Sequence, residues 1–296
     1  MEKRDPYHHK ERWEAWKLKN SNGVVGVSKN NSDLILEFLR DMELGKNTSP
    51  KAARGERSYT RLNTLRDKLV FFCRKFNKDL NKITEDEVHI LFSSMRNGKI
   101  LKPNGEVYKG TGHYVKDFKT FWNWMRRMNK VKKDITEYLS KKEAKPAWVY
   151  LTEEQFKKLV NSANSTYRAL IIFMYDASCR VTEAYSIKIK DFADNYTKLT
   201  IRDEVSKTFG RTIKLKLCSS MVKEHIELND LTSEDYLFTK KVGDIKKPIQ
   251  PAAFNKYLRA LAKNSFGDKE SPAREKYSKF TLYDIRHNAS CYWLKR

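Results

Sequence analysis

The sequence predicts a mainly α-helical protein of two domains, the second carrying a small antiparallel β-sheet. Three observations predict it. Apolar residues recur at three-to-four spacing along successive stretches between Ser32 and Met128. A charged, proline-containing stretch, "SKKEAKPAWVY" (Ser140 to Tyr150), then breaks the helical pattern. Beyond it, "YTKLTIRDEVSKTFGRTIKLKL" (196–217) is rich in β-branched residues and alternates in part. A chain of 296 residues also exceeds the usual size of a single domain.

Residues 1–30 mix charge with Trp13 and Trp16 and end in Asn, Ser and Gly, which reads as a basic N-terminal arm. Residues 31–140 read as a helical domain. Its first helix places Leu36, Leu39 and Met42 on one face, with Gly45 as its stop. Its second carries Leu62, Leu65, Leu69, Cys73 and Phe76, and Arg61, Arg66, Lys68, Arg74 and Lys75 occupy the rest of the circumference. That basic face is the candidate DNA-binding surface. Thr84 with Glu87 three residues on is a capping-box pattern and opens the third helix. In the fourth, Tyr114, Phe118, Phe121, Trp122, Met125 and Met128 form one stripe, which suits a core better than base stacking.

Residues 141–150 read as a linker and 151–296 as the second domain. Thr152 with Gln155 is another helix start, and "RALIIFMYDAS" is an apolar helix. The β-rich stretch reads as a hairpin with Phe209-Gly210 as its turn and Lys207 in the connection. Helical patterns return in "SSMVKEHIEL", "PAAFNKYLRALAKN" and the closing "FTLYDIRHNASCYWL".

Lysine and arginine outnumber acids 60 to 37, a net charge of +23, which points to a polyanionic partner with nucleic acid first. No apolar run approaches the roughly 20 residues of a spanning helix, and no signal segment opens the chain, so a cytoplasmic protein, nucleoid-associated when bound to DNA, is expected. The four cysteines, Cys73, Cys179, Cys218 and Cys291, lack metal-ligand spacing and read as reduced packing residues.

The residues that suit chemistry sit in the second domain. Arginine binds a phosphodiester through two parallel hydrogen bonds and stays charged at any working pH. Arg180 and Arg286 could together stabilise the extra charge of a pentavalent phosphorus. Glu183, one helical turn from Arg180, can hold its guanidinium; a surface ion pair is the plainer reading. Lys207 could donate a proton to a leaving oxygen, and Arg286 with His287 read equally well as ordinary phosphate contacts.

The combination decides among these. "YDASCRVTEAYSIKIKDF" resembles the first arginine box of the tyrosine recombinases, the phage-integrase type. "EVSKTFGRTIKL" is similar to their β-hairpin lysine segment, and "FTLYDIRHNAS" to their second box. The run "YDIRHNASCYWL" looks closest to integrases of archaeal viruses and plasmids. The resemblance covers the chain from about Thr152 onward, and the helical region before it is similar to the family's core-binding (SAM-like) domain. It implies a mixed α/β tyrosine-recombinase catalytic domain in which Arg180 and Arg286 clamp the phosphate and Lys207 is the general acid. Glu183 falls on the acidic position that supports the clamp, and His287 follows the arginine as in many relatives. Tyr283 stands where the family usually has histidine, and a phenol is a poor proton acceptor at neutral pH.

The implied activity is site-specific cutting and rejoining of DNA through a 3′-phosphotyrosyl link, integrating or excising a mobile element without metal or nucleotide cofactor. Implied partners are an attachment-site duplex and further protomers in a tetrameric synapse, with no membrane. The family's nucleophilic tyrosine lies some tens of residues after the second arginine, whereas this chain ends at Arg296 and Tyr292 is only six residues past Arg286. The resemblance therefore implies a catalytic domain that is C-terminally incomplete, with no nucleophile in this chain and no cleavage by it alone. A type IB topoisomerase-like enzyme and a non-catalytic DNA-binding protein of the same fold are the rival readings.

Overall fold

The computed structural model describes residues 5–46, 55–141, 147–206 and 208–294. The chain forms two units, one within residues 8–145 and one within 146–296 together with residues 1–7.

The first unit is helical: α1 (His9–Lys19), α2 (Lys29–Glu43), α3 (Tyr59–Phe76), α4 (Glu85–Arg96) and α5 (Thr111–Arg127). Each boundary has a local cause. Ser28, Ser58 and Thr84 cap α2, α3 and α4 with their hydroxyls, and the Thr84–Glu87 capping box is complete. Gly45, at φ +73, follows the end of α2 in the left-handed region that glycine favours. α3 lies at the centre, touching α1, α2 and α5. Phe38, Phe72, Phe92, Phe118 and Phe121 are fully buried, so the aromatic stripe of α5 is core, although Met128 at its end is 44% exposed.

The arm expected over residues 1–30 is instead part of this unit from His9 onward. Trp13 is buried, its indole N–H donates to Glu43 Oε1 at 2.8 Å, and its ring stacks on Trp16. One large aromatic with a satisfied polar atom is enough to dock a short helix.

The second unit contains α6 (Glu153–Asn161), α7 (Ser165–Ala177), α8 (Val181–Ala184), β1 (Phe192–Ala193), β2 (Lys198–Ile201), β3 (Arg211–Lys214), α9 (Ser219–Leu228), β4 (Thr239–Val242), β5 (Ile245–Pro248), α10 (Pro251–Phe266) and α11 (Leu282–Leu294). α7 is its central helix: residues 169–177 are all buried, and it packs against α6, α9 and α11. β1, β2 and β3 form an antiparallel sheet in that order, with Leu199 opposite Ile213 and Ile201 opposite Arg211. β4 and β5 make a second hairpin, not anticipated from the sequence.

Two expectations shift. Of the linker, residues 142–146 lie outside the described residues, while Trp148 bridges to Arg274 and the Val149 N–H donates to Asp284 Oδ1 at 2.8 Å, so 147–150 belong to the second unit. Phe209-Gly210 is not the midpoint of a tight turn. It ends a longer connection, where the Gly210 N–H donates to Asp203 Oδ1 at 2.6 Å and an added Cβ would meet the Ile201 carbonyl at 2.8 Å. Among the described residues no helix is long and apolar enough to cross a membrane, and the four cysteines are free thiols.

Candidate active site

α7 ends at Ser178, whose backbone is left-handed (φ 45, ψ 24), a conformation uncommon for a residue with a side chain. That reversal stops the apolar helix, buries Cys179 and leaves Arg180 at the start of α8 with its side chain 31% exposed. Glu183 on the same turn is fully buried. Its Oε2 accepts from the Arg180 backbone N–H at 2.9 Å, and its Oε1 from Arg180 Nη1 at 2.8 Å. The pair expected from i, i+3 spacing is thus an internal one.

Glu183 has further partners that sequence spacing did not indicate. Arg211 on β3 donates from Nη2 to Oε2 at 2.8 Å and from Nη1 to Oε1 at 3.2 Å, and Ser206 Oγ lies 3.3 Å from Oε1. Burial alone would raise the Glu183 pKa, but the hydrogen bonds from Arg211 and Arg180 outweigh it and hold the carboxyl at about 2. The same contact raises the pKa of Arg211. The one signal for Arg211 in the sequence is its alternation with Ile213 in "RTIK", which puts both on one face of a strand.

Arg286 reaches the site from α11. Asp284 and Asn288, one turn apart, are buried and hydrogen-bond the backbone of Val149 and Leu151, which fixes one face of α11. Arg286 lies between them in sequence and so projects from the other side. Ser290, one turn beyond Arg286, brings its Oγ to 3.4 Å from Ser178 Oγ at the end of α7. Burial and then the charge of Glu183 push the Cys179 thiol up to about 12, while Arg211 and Arg286 act on it in the opposite sense. Arg180 and Arg211 thus share the Glu183 carboxylate at this turn, and Arg286 lies on α11, which packs against α7.

The remaining predicted residues divide. Tyr283 is 56% exposed on the first turn of α11, and the His287 ring, also exposed, packs 5.4 Å from the Trp148 ring. Lys207 lies outside the described residues. The far end of β3 is held on the α7 side: Asp176 Oδ2, buried at the end of α7, accepts from the backbone N–H groups of Lys216, Leu217 and Cys218 between β3 and α9.

In the helical unit, Arg61 and Lys68 share the buried carboxylate of Asp117, each at 2.5 Å, and with Lys102, His113 and Lys116 they line an open basic cleft. Arg74 and Lys75 are exposed at the C-terminal end of α3. Arg66 is buried. Its guanidinium lies over the Trp16 ring, donates to the Arg12 carbonyl at 3.0 Å and pairs through Nε with Asp67 Oδ1 at 3.1 Å, so its donors are engaged within the unit.

Residues 149–295 match the model of the phage integrase family. Solved structures share the fold. A lambda integrase tetramer bound to a Holliday junction aligns with a TM-score of 0.67 at 15% identity, over 90% of this chain and 75% of that one. A lambda integrase dimer bound to a COC' core site aligns with a TM-score of 0.68 at 12% identity, over 98% and 75%. The Tn1549 transposon integrase in complex with a circular intermediate DNA gives 0.63 at 12% identity, over 89% and 86%. No curated protein sequence matches the chain. The family match spans the unit in which Arg180, Glu183, Arg211 and Arg286 gather, and the chain belongs to the phage integrase family of tyrosine recombinases.

Proposed function

We propose that this protein is a site-specific DNA recombinase that cuts and rejoins strands through a 3′-phosphotyrosyl link, integrating or excising a mobile element. The observation that carries the reading is Arg180 held at the end of α7 by a buried, ionised Glu183, with Arg286 on the helix packed against α7. Guanidinium groups brought together in this way suit a phosphate whose charge grows as phosphorus becomes pentavalent. In this reading Arg180 and Arg286 take the non-bridging oxygens, Lys207 protonates the leaving 5′ oxygen, and Tyr283 donates a hydrogen bond without accepting a proton. The phosphotyrosyl bond conserves the energy of the diester, so rejoining uses no nucleotide.

The helical unit binds the duplex through phosphate contacts, with the basic cleft of Arg61 and Lys68 and the exposed Arg74 and Lys75 as its footprint. Several protomers assemble on paired attachment sites; a lambda integrase tetramer bound to a Holliday junction and a dimer bound to a COC' core site, similar in fold, support this reading. Tyr292 is not the nucleophile. Its ring packs against Tyr175 at 5.5 Å, and six residues past Arg286 place it roughly 120° away around the helix.

The test is a nicked suicide substrate bearing the attachment site, incubated with the full-length gene product and run on a denaturing gel. A covalent protein–DNA band is expected for the wild type. Arg286→Ala should lose that band while duplex affinity changes little, because a transition-state contact adds little to ground-state binding. Equal loss of binding and cleavage would make Arg286 an ordinary phosphate contact and remove the proposed role.

A further inference from the structure

We infer that Arg211 is a positioning residue of the phosphate clamp: through Glu183, and without touching DNA, it keeps the Arg180 site net positive and anchors the β2–β3 connection beside it. The inference rests on the reading of Arg180 as a phosphate ligand.

The argument begins with charge. Arg180 and Glu183 alone make a neutral pair, and a phosphate approaching that pair would find no net attraction from it. Glu183 is buried, so water does not screen its charge, and an opposing group must come from the protein. Arg211 supplies it with a bidentate fork across both carboxylate oxygens, at 2.8 and 3.2 Å. Two guanidinium groups on one carboxylate leave a single positive charge; the two side chains are similarly exposed, 31% for Arg180 and 36% for Arg211, but Arg180 meets the carboxylate through Nη1 alone and so keeps donors for a phosphate. Arg211 is itself committed to Glu183 by both terminal nitrogens, which fits a residue that acts through a neighbour.

Geometry adds a second consequence. Ser206 and Arg211 bond to the same carboxylate from opposite ends of residues 207–210. Five donors therefore meet on two oxygens, one more than the roughly four lone-pair sites of a carboxylate, so Glu183 has no acceptor capacity to spare. Glu183 fixes the Arg180 turn and both ends of that short connection at one point. An internal spacer of this kind sets the separation between two parts of a site more firmly than either loop would alone.

The experiment uses the 296-residue chain with 15N-labelled arginine, following the Arg180 and Arg286 Nε–Hε resonances during titration with inorganic phosphate. In the wild type both resonances should shift together. Arg211→Gln should weaken phosphate binding at Arg180 by about tenfold, the scale of one charge-assisted hydrogen bond. Arg211→Lys, which restores the charge but not the fork, should recover most of that loss. The discriminating variant is Glu183→Gln combined with Arg211→Gln. It removes the buried charge and its counter-charge together, so the Arg180 site is again net positive and phosphate affinity should return to within about threefold of wild type. It also keeps the test valid if Arg211→Gln alone folds poorly. A purely structural role would leave the double variant as weak as the single, and that result would overturn the inference, as would an unchanged affinity in Arg211→Gln. Failure of wild-type Arg180 and Arg286 to respond to phosphate would instead overturn the clamp reading itself.

Discussion

Ser290 on α11 sits with its hydroxyl oxygen 3.4 Å from that of Ser178, the left-handed residue that ends α7. This small contact sets how closely the helix of the second arginine approaches the turn of the first. Small side chains at both positions let the two backbones come near.

Ser290→Ile should therefore force α11 away from α7. Overpacking of this kind costs typically 1–3 kcal/mol, so denaturant unfolding should show a loss of about 2 kcal/mol. Strand cleavage by the full-length protein should fall further than stability predicts, because Arg286 moves with its helix. Ser290→Ala should be close to neutral in both measurements.

Glu183 gives a pH signature. Its carboxyl is held at about 2 in the folded protein against an ordinary 4.5. A lowered folded-state pKa contributes stability that is fully present above about 4.5 and is lost as pH falls toward about 2, on the order of 3 kcal/mol in all. Glu183→Gln should thus be clearly less stable than wild type at pH 6, and the gap should close as unfolding curves are repeated between pH 4.5 and 2.5. A gap that persisted across that range would mean that the carboxylate charge is not what stabilises the turn.

The basic residues of α3 should separate by burial. Arg74→Ala with Lys75→Ala should reduce the log-log salt slope of duplex binding by up to about 0.9 for each phosphate that is no longer neutralised. Arg66→Ala should leave the slope unchanged and lower thermal stability instead, because its guanidinium packs on Trp16 and bonds the Arg12 carbonyl. Fluorescence anisotropy across a salt series, paired with melting curves, checks both.

Tyr292 offers a further division. Its half-buried ring packs with Trp293 against Tyr175 at the edge of the core of the second unit. Tyr292→Phe should retain the covalent adduct formed by the full-length protein, while Tyr292→Ala should cost about 2 kcal/mol in denaturant unfolding. Loss of the adduct in a folded Tyr292→Phe protein would place the nucleophile on α11.

Much of this architecture is legible in the sequence because it is local. The capping boxes at Thr84 and Thr152, the stripes of α2, α3 and α5, and the Arg180–Glu183 pair all arise from residues three or four apart. What escaped depends on distance or on a weak pattern. Arg211 meets Glu183 across 28 positions, and only pairing of β2 with β3 brings it there. α1 has no apolar stripe, since its docking relies on Trp13 almost alone. The β4–β5 hairpin is lysine-rich along both strands, so its sequence resembles a solvated loop, although Gly243, at φ +59, lies between its arms.

The seam between Val149–Leu151 and α11 also bears on how the protein is made. Val149 and Leu151 find their hydrogen-bond partners 135 and 137 residues further along, at Asp284 and Asn288. A nascent chain leaving the ribosome has no such partners until residue 288 has emerged, and contacts this far apart form late because loop closure must be met first. The helical unit can fold during synthesis, whereas the unit bearing the arginines must wait with the α11-facing side of the apolar α7 uncovered. Slowing translation after residue 288 should not help it, but a holdase chaperone present before that point should raise the yield of folded protein.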